Sequence, residues 1–137
     1  MLEFAVELAV RDSELDQYGV VNNAVYLNYF QHARHEMLAA LGLPAQEVAQ
    51  AGRALAVSEM TIRYRLPLRS RDRFRVSAAI SQVTGARIMF AQAIHRLPDD
   101  KLVADVSVVA VMLDERGRPQ RIPLPLKERF VQAMQGE

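Results

Sequence analysis

Residues 14–42 read ELDQYGVVNNAVYLNYFQHARHEMLAALG, and the fold turns on where in this stretch a loop becomes a helix. From residue 24 to 41, Tyr26, Phe30, Ala33, Met37 and Leu41 recur at intervals of three and four, with Leu27, Arg34 and Leu38 beside them. Gln31, His32, His35 and Glu36 fall on the opposite side. At about 3.6 residues per turn this predicts an amphipathic helix of about five turns. Asn23 is the expected N-cap, because a short side-chain oxygen can accept from the first free amides, and Gly42 followed by Pro44 predicts the stop.

Outward from the helix the period changes. Leu2, Phe4, Val6, Leu8 and Val10 alternate, predicting a strand with one half-buried face over residues 2–10. Residues 45–53 read as a short helix or loop. Four extended segments follow, at 54–66, 73–84, 86–97 and 102–114, separated by LPLRSRD, the Thr84-Gly85 pair and LPDDK, each with turn chemistry. LVADVSVVAVML, residues 102–113, is apolar enough to be buried on both faces as a central strand. PLKERFVQAMQ, residues 125–135, predicts a closing helix. The order is therefore strand, long helix, then a four-strand antiparallel meander. That is an α+β domain spanning residues 1–137, in which a five-stranded antiparallel sheet curls around one long central helix. Open sheet edges and leftover apolar positions predict a homo-oligomer, a dimer or a dimer of dimers.

The composition narrows the function classes. With 17 Lys and Arg against 16 Asp and Glu, the net charge of +1 argues against a nucleic-acid or anionic-membrane surface. Cysteine is absent, which excludes disulfides, thiolate zinc sites and a cysteine nucleophile. The N-terminus has acidic residues within its apolar stretch and no basic region before it, unlike a signal peptide or a membrane span; a cytoplasmic setting is expected.

Asp16 is the carboxylate of most chemical interest. Free backbone N–H groups at residues 23–25 and the positive end of the helix dipole would polarise a carbonyl and stabilise an oxyanion formed from it. A carboxylate a few residues upstream, turned by Gly19, could face that carbonyl as nucleophile or as general base on water. With no general acid in sight, amides and esters are poor substrates for so spare a site. A thioester is better suited, since a thiol with a pKa of about 8.5 departs as thiolate with little help. The alternative is that Asp16 is a turn residue bonded to its own backbone.

VRDSELDQYGVVNNAVYLNYFQHARHEML, residues 10–38, resembles the signature of the hot-dog-fold acyl-thioesterases of the 4-hydroxybenzoyl-CoA thioesterase superfamily. Asp16, Gly19, Val20, Val21, Tyr26, Ala33 and Arg34 fit the pattern, and ELDQYGVVNNAVY is especially similar to the plant plastid acyl-acyl-carrier-protein thioesterases and their bacterial relatives. The resemblance implies an acyl-CoA or acyl-carrier-protein thioesterase with no cofactor. Asp16 would be the catalytic carboxylate, the Asn23 N–H would bind the thioester carbonyl, and Tyr26 would pack or line the pocket. Glu14 stands where a second carboxylate of a D-x-D form would lie.

Other residues admit weaker readings. Six arginines, Arg63, Arg65, Arg69, Arg71, Arg73 and Arg75, cluster in RYRLPLRSRDRFR, residues 63–75. They form either a solvated surface or a site for coenzyme A phosphates or an acidic carrier protein, with Arg63, Arg65 and Arg73 as the expected contacts. Ser58 and Glu59 begin the second strand, where a partner subunit's helix end would lie; Glu59 reads best as solvent-facing. Glu36 on the long helix, with His32 and His35, reads as a solvated face, and no third ligand points to a metal. His95 reads as a satisfied polar residue. A hot-dog dehydratase would need a histidine beside the acid, and the loop has none. A non-catalytic acyl-CoA-binding module is the reading from a different class.

Overall fold

The computed structural model describes residues 3–43 and 54–136, so the short helix or loop expected at 45–53 and the Pro44 helix stop lie outside the described residues. Within them the chain runs β1 (Glu3–Ala9), a single 3-10 turn (Asp12–Glu14), α1 (Val25–Ala40), β2 (Ala54–Tyr64), β3 (Arg73–Val83), β4 (Arg87–Leu97), β5 (Lys101–Leu113), β6 (Pro119–Gln120) and α2 (Leu124–Gln135). The α+β class and the closing helix are as expected; the sheet has six strands rather than five, the sixth being only two residues long.

The strand order is β1-β3-β4-β5-β2, all neighbours antiparallel, so the four-strand meander is not formed. β3 has β1 on one side, in register from Glu3↔Ala79 to Ala9↔Arg73, and β4 on the other. No edge of β3 is left for β2, which pairs instead with the far side of β5. Only β3, β4 and β5 form a meander. β6 adds to β5 at Met112 and Leu113, beyond the point where β4 begins at Arg87. Irregular registers at Val57/Glu59, Ile80/Gln82 and Ile94/His95 mark places where a sheet bends and twists.

One face of the sheet carries the core. Phe74, Val76, Ala78 and Ile80 of β3 lie beside Ile88, Phe90 and Ile94 of β4 and Val106, Val108, Ala110 and Met112 of β5, all buried. α1 lies mainly over β3 and β1, burying Tyr26, Tyr29, Phe30, Ala33, Arg34, Met37 and Leu38, and α2 adds Phe130 and Ala133 over β3. Gln31, His32, His35 and Glu36 are exposed, as the helical period predicts. The expectation that β5 is buried on both faces holds for one face only: Asp105, Val109 and Val111 are half-buried and Ser107 is exposed.

Among the described residues, the interior holds one charged side chain. Arg34 is buried on α1, and its Nη1 donates to Gln92 Oε1 at 2.9 Å. Gln92 Nε2 in turn donates to the Phe30 carbonyl at 2.9 Å, fastening mid-helix backbone to β4. Burial lowers the Arg34 pKa from its usual value.

Candidate active site

The loop ahead of α1 is itself a small hairpin. Leu15 bridges Val21, the Asp16 N–H donates to Val20 O at 2.8 Å, and the Asn22 N–H donates to Glu14 O at 3.0 Å. Gly19 turns the tip at φ 75°, a left-handed conformation that costs glycine least. The hairpin is pinned to the segment between β2 and β3, where Val20 bridges Arg69 and the Val21 N–H donates to Leu68 O at 2.9 Å.

Asp16 is half-buried at the hairpin's bend, and its Oδ1 accepts from the Tyr18 N–H at 2.8 Å. It is therefore a turn residue bonded to its own backbone, but that bond occupies one carboxylate oxygen only. The second oxygen has no hydrogen-bond partner among the described residues. The Asp16 charge is also felt at Tyr26, whose hydroxyl accepts from the Leu68 N–H at 3.1 Å. Burial raises the Tyr26 pKa, the Leu68 bond partly offsets this, and the neighbouring Tyr64 and Asp16 add to it. Asp16 and Tyr26 thus share one neighbourhood across the mouth of the hairpin.

The start of α1 differs from expectation in a way that matters chemically. Asn22, not Asn23, supplies the capping oxygens: its Oδ1 accepts from the Ala24 N–H and its carbonyl from the Val25 N–H, each at 2.9 Å. The helix itself begins at Val25, so the residue at its N-cap position is Ala24, which has no side-chain oxygen to cap with, and the Asn23 side chain caps nothing among the described residues. Of the three amides expected to be free, that leaves the Asn23 N–H, which has no acceptor among the described residues. The Asn23 carbonyl is held from the other side by Tyr64, whose hydroxyl donates to it at 2.8 Å. Tyr64 is 47% exposed and stands edge-on to Tyr26, ring centroids 5.3 Å apart.

The basic run is divided by the fold. Arg63 is exposed on β2 beside Tyr64, and Arg65 just past that strand pairs with Asp105 at 2.7 Å. Arg73 starts β3, three strand positions away or about 14 Å at the usual spacing, and pairs with Glu7 at 2.9 Å. Arg75 pairs with Asp100 at 2.8 Å. Exposed Arg69 and Arg71 adjoin the hairpin instead, in a turn where the Ser70 hydroxyl meets Asp12 at 2.5 Å. The six arginines therefore do not gather into one patch.

Elsewhere, Ser58 sits at the β2 bulge with its hydroxyl donating to Val109 O at 3.2 Å, and Glu59 is exposed. Among the described residues no group of His, Cys, Asp and Glu is arranged to hold a metal. His95 departs from its expected role: its Nδ1 is buried without a hydrogen-bond partner among the described residues.

Asn22, Tyr29 and Tyr64 were not singled out as site residues by sequence reasoning, and the contribution of Glu14 was left open. Glu14 stands out only by its place two residues before Asp16, and Tyr64 lay hidden among arginines. The Tyr29 hydroxyl donates to Glu14 Oε1 at 2.9 Å, joining residues whose pairing nothing local announces.

Comparison with known proteins agrees with this architecture. The acyl-acyl carrier protein thioesterase ATL3, chloroplastic, of Arabidopsis thaliana is 52% identical over 132 residues, covering 96% of this chain and 70% of that protein. Its counterpart ATL2 from the same plant is 47% identical, covering 91% of this chain and 66% of that protein. The solved structure of Slr0204, a 1,4-dihydroxy-2-naphthoyl-CoA thioesterase from Synechocystis, superposes with a TM-score of 0.85 over 94% of this chain and 96% of its own; at 22% identity it establishes the fold alone. The family described as thioesterase-like superfamily matches residues 10–132, from just before the hairpin into α2, and the chain belongs to that family.

Proposed function

We propose that this chain hydrolyses acyl thioesters to a free acid and a thiol, with Asp16 as the reacting carboxylate and the Asn23 N–H as the oxyanion donor. The observation that carries the reading is a half-buried carboxylate with an unengaged oxygen at the bend of the hairpin, together with the unengaged Asn23 amide where the hairpin runs into α1. The family membership and the names of the two plant relatives support the reaction class.

The chemistry needs few parts. The thioester oxygen rests on the Asn23 N–H and the positive end of α1, which draws electron density from the carbonyl carbon. As general base, Asp16 takes a proton from water while the water oxygen bonds to that carbon; the C–S bond then breaks, and the thiolate takes up a proton. As nucleophile, Asp16 bonds to the carbon itself, the thiolate leaves, and water cleaves the resulting anhydride, restoring the carboxylate. Both routes use the same free oxygen. Label found in Asp16 after a single turnover in isotopically labelled water marks the nucleophile route with water attacking the Asp16 carbonyl carbon of the anhydride, because the general-base route never labels Asp16.

The proposed substrates are fatty acyl thioesters of coenzyme A or acyl carrier protein, with Tyr26 and Gly19 shaping the approach. Arg63 and the ion-paired Arg65 and Arg73 stay in the proposal as phosphate or carrier-protein contacts. A dimer, or a dimer of dimers, is supported by β2, an 11-residue strand on the sheet edge with Val57 and Tyr64 each 47% exposed. Light scattering of the purified chain measures it. Among the described residues no helix is long and apolar enough to cross a membrane. The cytoplasmic setting is a proposal from the sequence alone, and the two plant relatives are named chloroplastic.

The deciding experiment is thiol release from a panel of acyl-CoA and acyl-carrier-protein thioesters. Asp16→Asn is expected to lower kcat by about 10³-fold or more while the protein stays folded. Wild-type rates in that variant would remove Asp16 from the chemistry. Binding of acyl-CoA without thiol release from any substrate would make the chain a binding module.

A further inference from the structure

We infer that Glu14 is a positioning residue, which fastens the Asp16 hairpin to the first turns of α1, and is not a second acid–base group; this rests on the assignment of Asp16 above. Of the two proposed reacting partners, the carboxylate lies at the bend of the hairpin and the amide lies where the second arm of the hairpin runs into α1. Their separation is set by whatever ties one to the other.

Glu14 supplies that tie through two parts of the same residue. Its Oε1 accepts from the Tyr29 hydroxyl at 2.9 Å and from the Arg11 N–H at 2.8 Å. Its backbone carbonyl accepts from the Asn22 N–H at 3.0 Å, and Asn22 holds the Ala24 and Val25 amides. Glu14 therefore holds the chain entering α1 through its carbonyl at Asn22, and α1 itself through its side chain at Tyr29. The far anchor is rigid: Tyr29 is 5% exposed, tilted against Phe74 at 4.7 Å and edge-on to Tyr26 at 6.0 Å.

The other ties of the hairpin run to Leu68 and Arg69, in the segment between β2 and β3, and from Asn22 to the amides at the start of α1; among the described residues the Glu14 side chain alone reaches the Tyr29 turn. Without the Glu14 side chain the hairpin would stay folded and keep its Asn22 bonds, but it would lose its hold on the Tyr29 turn of α1, and Asp16 would gain freedom relative to the helix start. A displacement of about 1 Å can cost about 10²-fold in rate. The tie needs an acceptor oxygen and no negative charge, so glutamine should serve nearly as well as glutamate. An acid–base role would need the ionisable group, and glutamine would abolish it.

The test measures kcat, KM and the pH–rate profile of thiol release for the full chain and four variants, with near-ultraviolet circular dichroism to check folding. Asp16→Asn is expected to be inactive. Glu14→Gln is expected to stay within about 3-fold of wild type, its acid limb unmoved, while Glu14→Ala loses about 10- to 100-fold in kcat with KM little changed. Tyr29→Phe, which removes one donor and no volume from the core, is expected to lose about 3- to 10-fold and carries the test if Glu14→Ala does not fold. Glu14→Gln as inactive as Asp16→Asn, or with a shifted acid limb, would make Glu14 an acid–base group and overturn the proposal. Wild-type kcat in folded Glu14→Ala, or in Tyr29→Phe if Glu14→Ala does not fold, beside an inactive Asp16→Asn, would overturn the tie alone; an active Asp16→Asn would overturn the assignment of Asp16 and the tie with it.

Discussion

The two ends of α1 are built by different physics. The C-terminal half buries Met37 and Leu38, adjoins Ala133 of α2, and stops at Gly42 with the Gly42 N–H on Ala39 O and the Leu43 N–H on Leu38 O. The N-terminal half is held by Glu14–Tyr29, Asn22–Ala24, Tyr64–Asn23 and Tyr26–Leu68, hydrogen bonds that each join a side chain to another segment or to the helix start. Apolar packing tolerates variation in detail if volume is kept, whereas a hydrogen bond demands a given atom at a given place. The end that packs should govern stability, and the end that is hydrogen-bonded should govern rate.

The largest expected effect tests the packed end. Phe130 of α2 is fully buried, and Phe130→Ala should cost about 3–5 kcal/mol of stability, read from the urea midpoint at unchanged slope. Below its lowered midpoint the variant should keep wild-type kcat, because no hydrogen bond of the hairpin involves α2. A fall in kcat beyond the unfolded fraction would show that the two ends are coupled and would break the comparison.

This division also decides what could be read from the sequence. The helical period of Tyr26, Phe30, Ala33 and Met37, the alternation of Phe4, Val6 and Leu8, and the glycine after Leu41 are local patterns, and the structure reproduces each. The pairing of β2 with β5 is not local: it follows from β1 taking the free edge of β3, about 70 residues away along the chain, and no period encodes that. The division of the arginines is its consequence. At the site, the place of Asp16 ahead of the helix start made it a candidate, and the family resemblance set it apart from an ordinary turn aspartate. Tyr29 was missed for another reason. Its position among apolar neighbours gives it the appearance of core, and the hydroxyl partner that distinguishes it lies 15 residues earlier on a different element.

A smaller effect sharpens the contrast at the helix stop. Gly42 has φ 74°, and a Cβ there would come within 3.3 Å of Arg129 Nη2 while the Arg129 guanidinium donates to the Gly42 carbonyl. Gly42→Ala should cost about 1 kcal/mol through the left-handed backbone, with a further small cost if Arg129 must move. Thermal unfolding measures the loss, and kcat should not change. A neutral substitution would mean that the helix end relaxes without penalty, so that the packing of Met37 and Leu38, and not the stop, holds this half in place.

The last effect lies at the other end, and its signature is a small change between neutral and high pH. Burial pushes the Tyr29 hydroxyl well above the usual phenol range, and the hydrogen bond to Glu14 and its charge push it further. The native state therefore keeps this proton at pH values where the unfolded chain, with an ordinary phenol near 10.0, has lost it. Stability from this group is fully present below about pH 10 and declines as pH rises toward the folded value. Tyr29→Phe removes the titration. The variant should be less stable than wild type at pH 8, by about 0.5–1.5 kcal/mol for the lost hydrogen bond, and the gap should narrow at pH 11. Urea denaturation at the two pH values measures it, and differencing the curves cancels the tyrosines and lysines common to both. Parallel curves would mean that the Tyr29 proton is no better held in the native state than in the unfolded chain. A narrowing gap, together with a kcat loss in the same variant at neutral pH, would tie the alkaline stability of the hydrogen-bonded end to the alignment of Asp16.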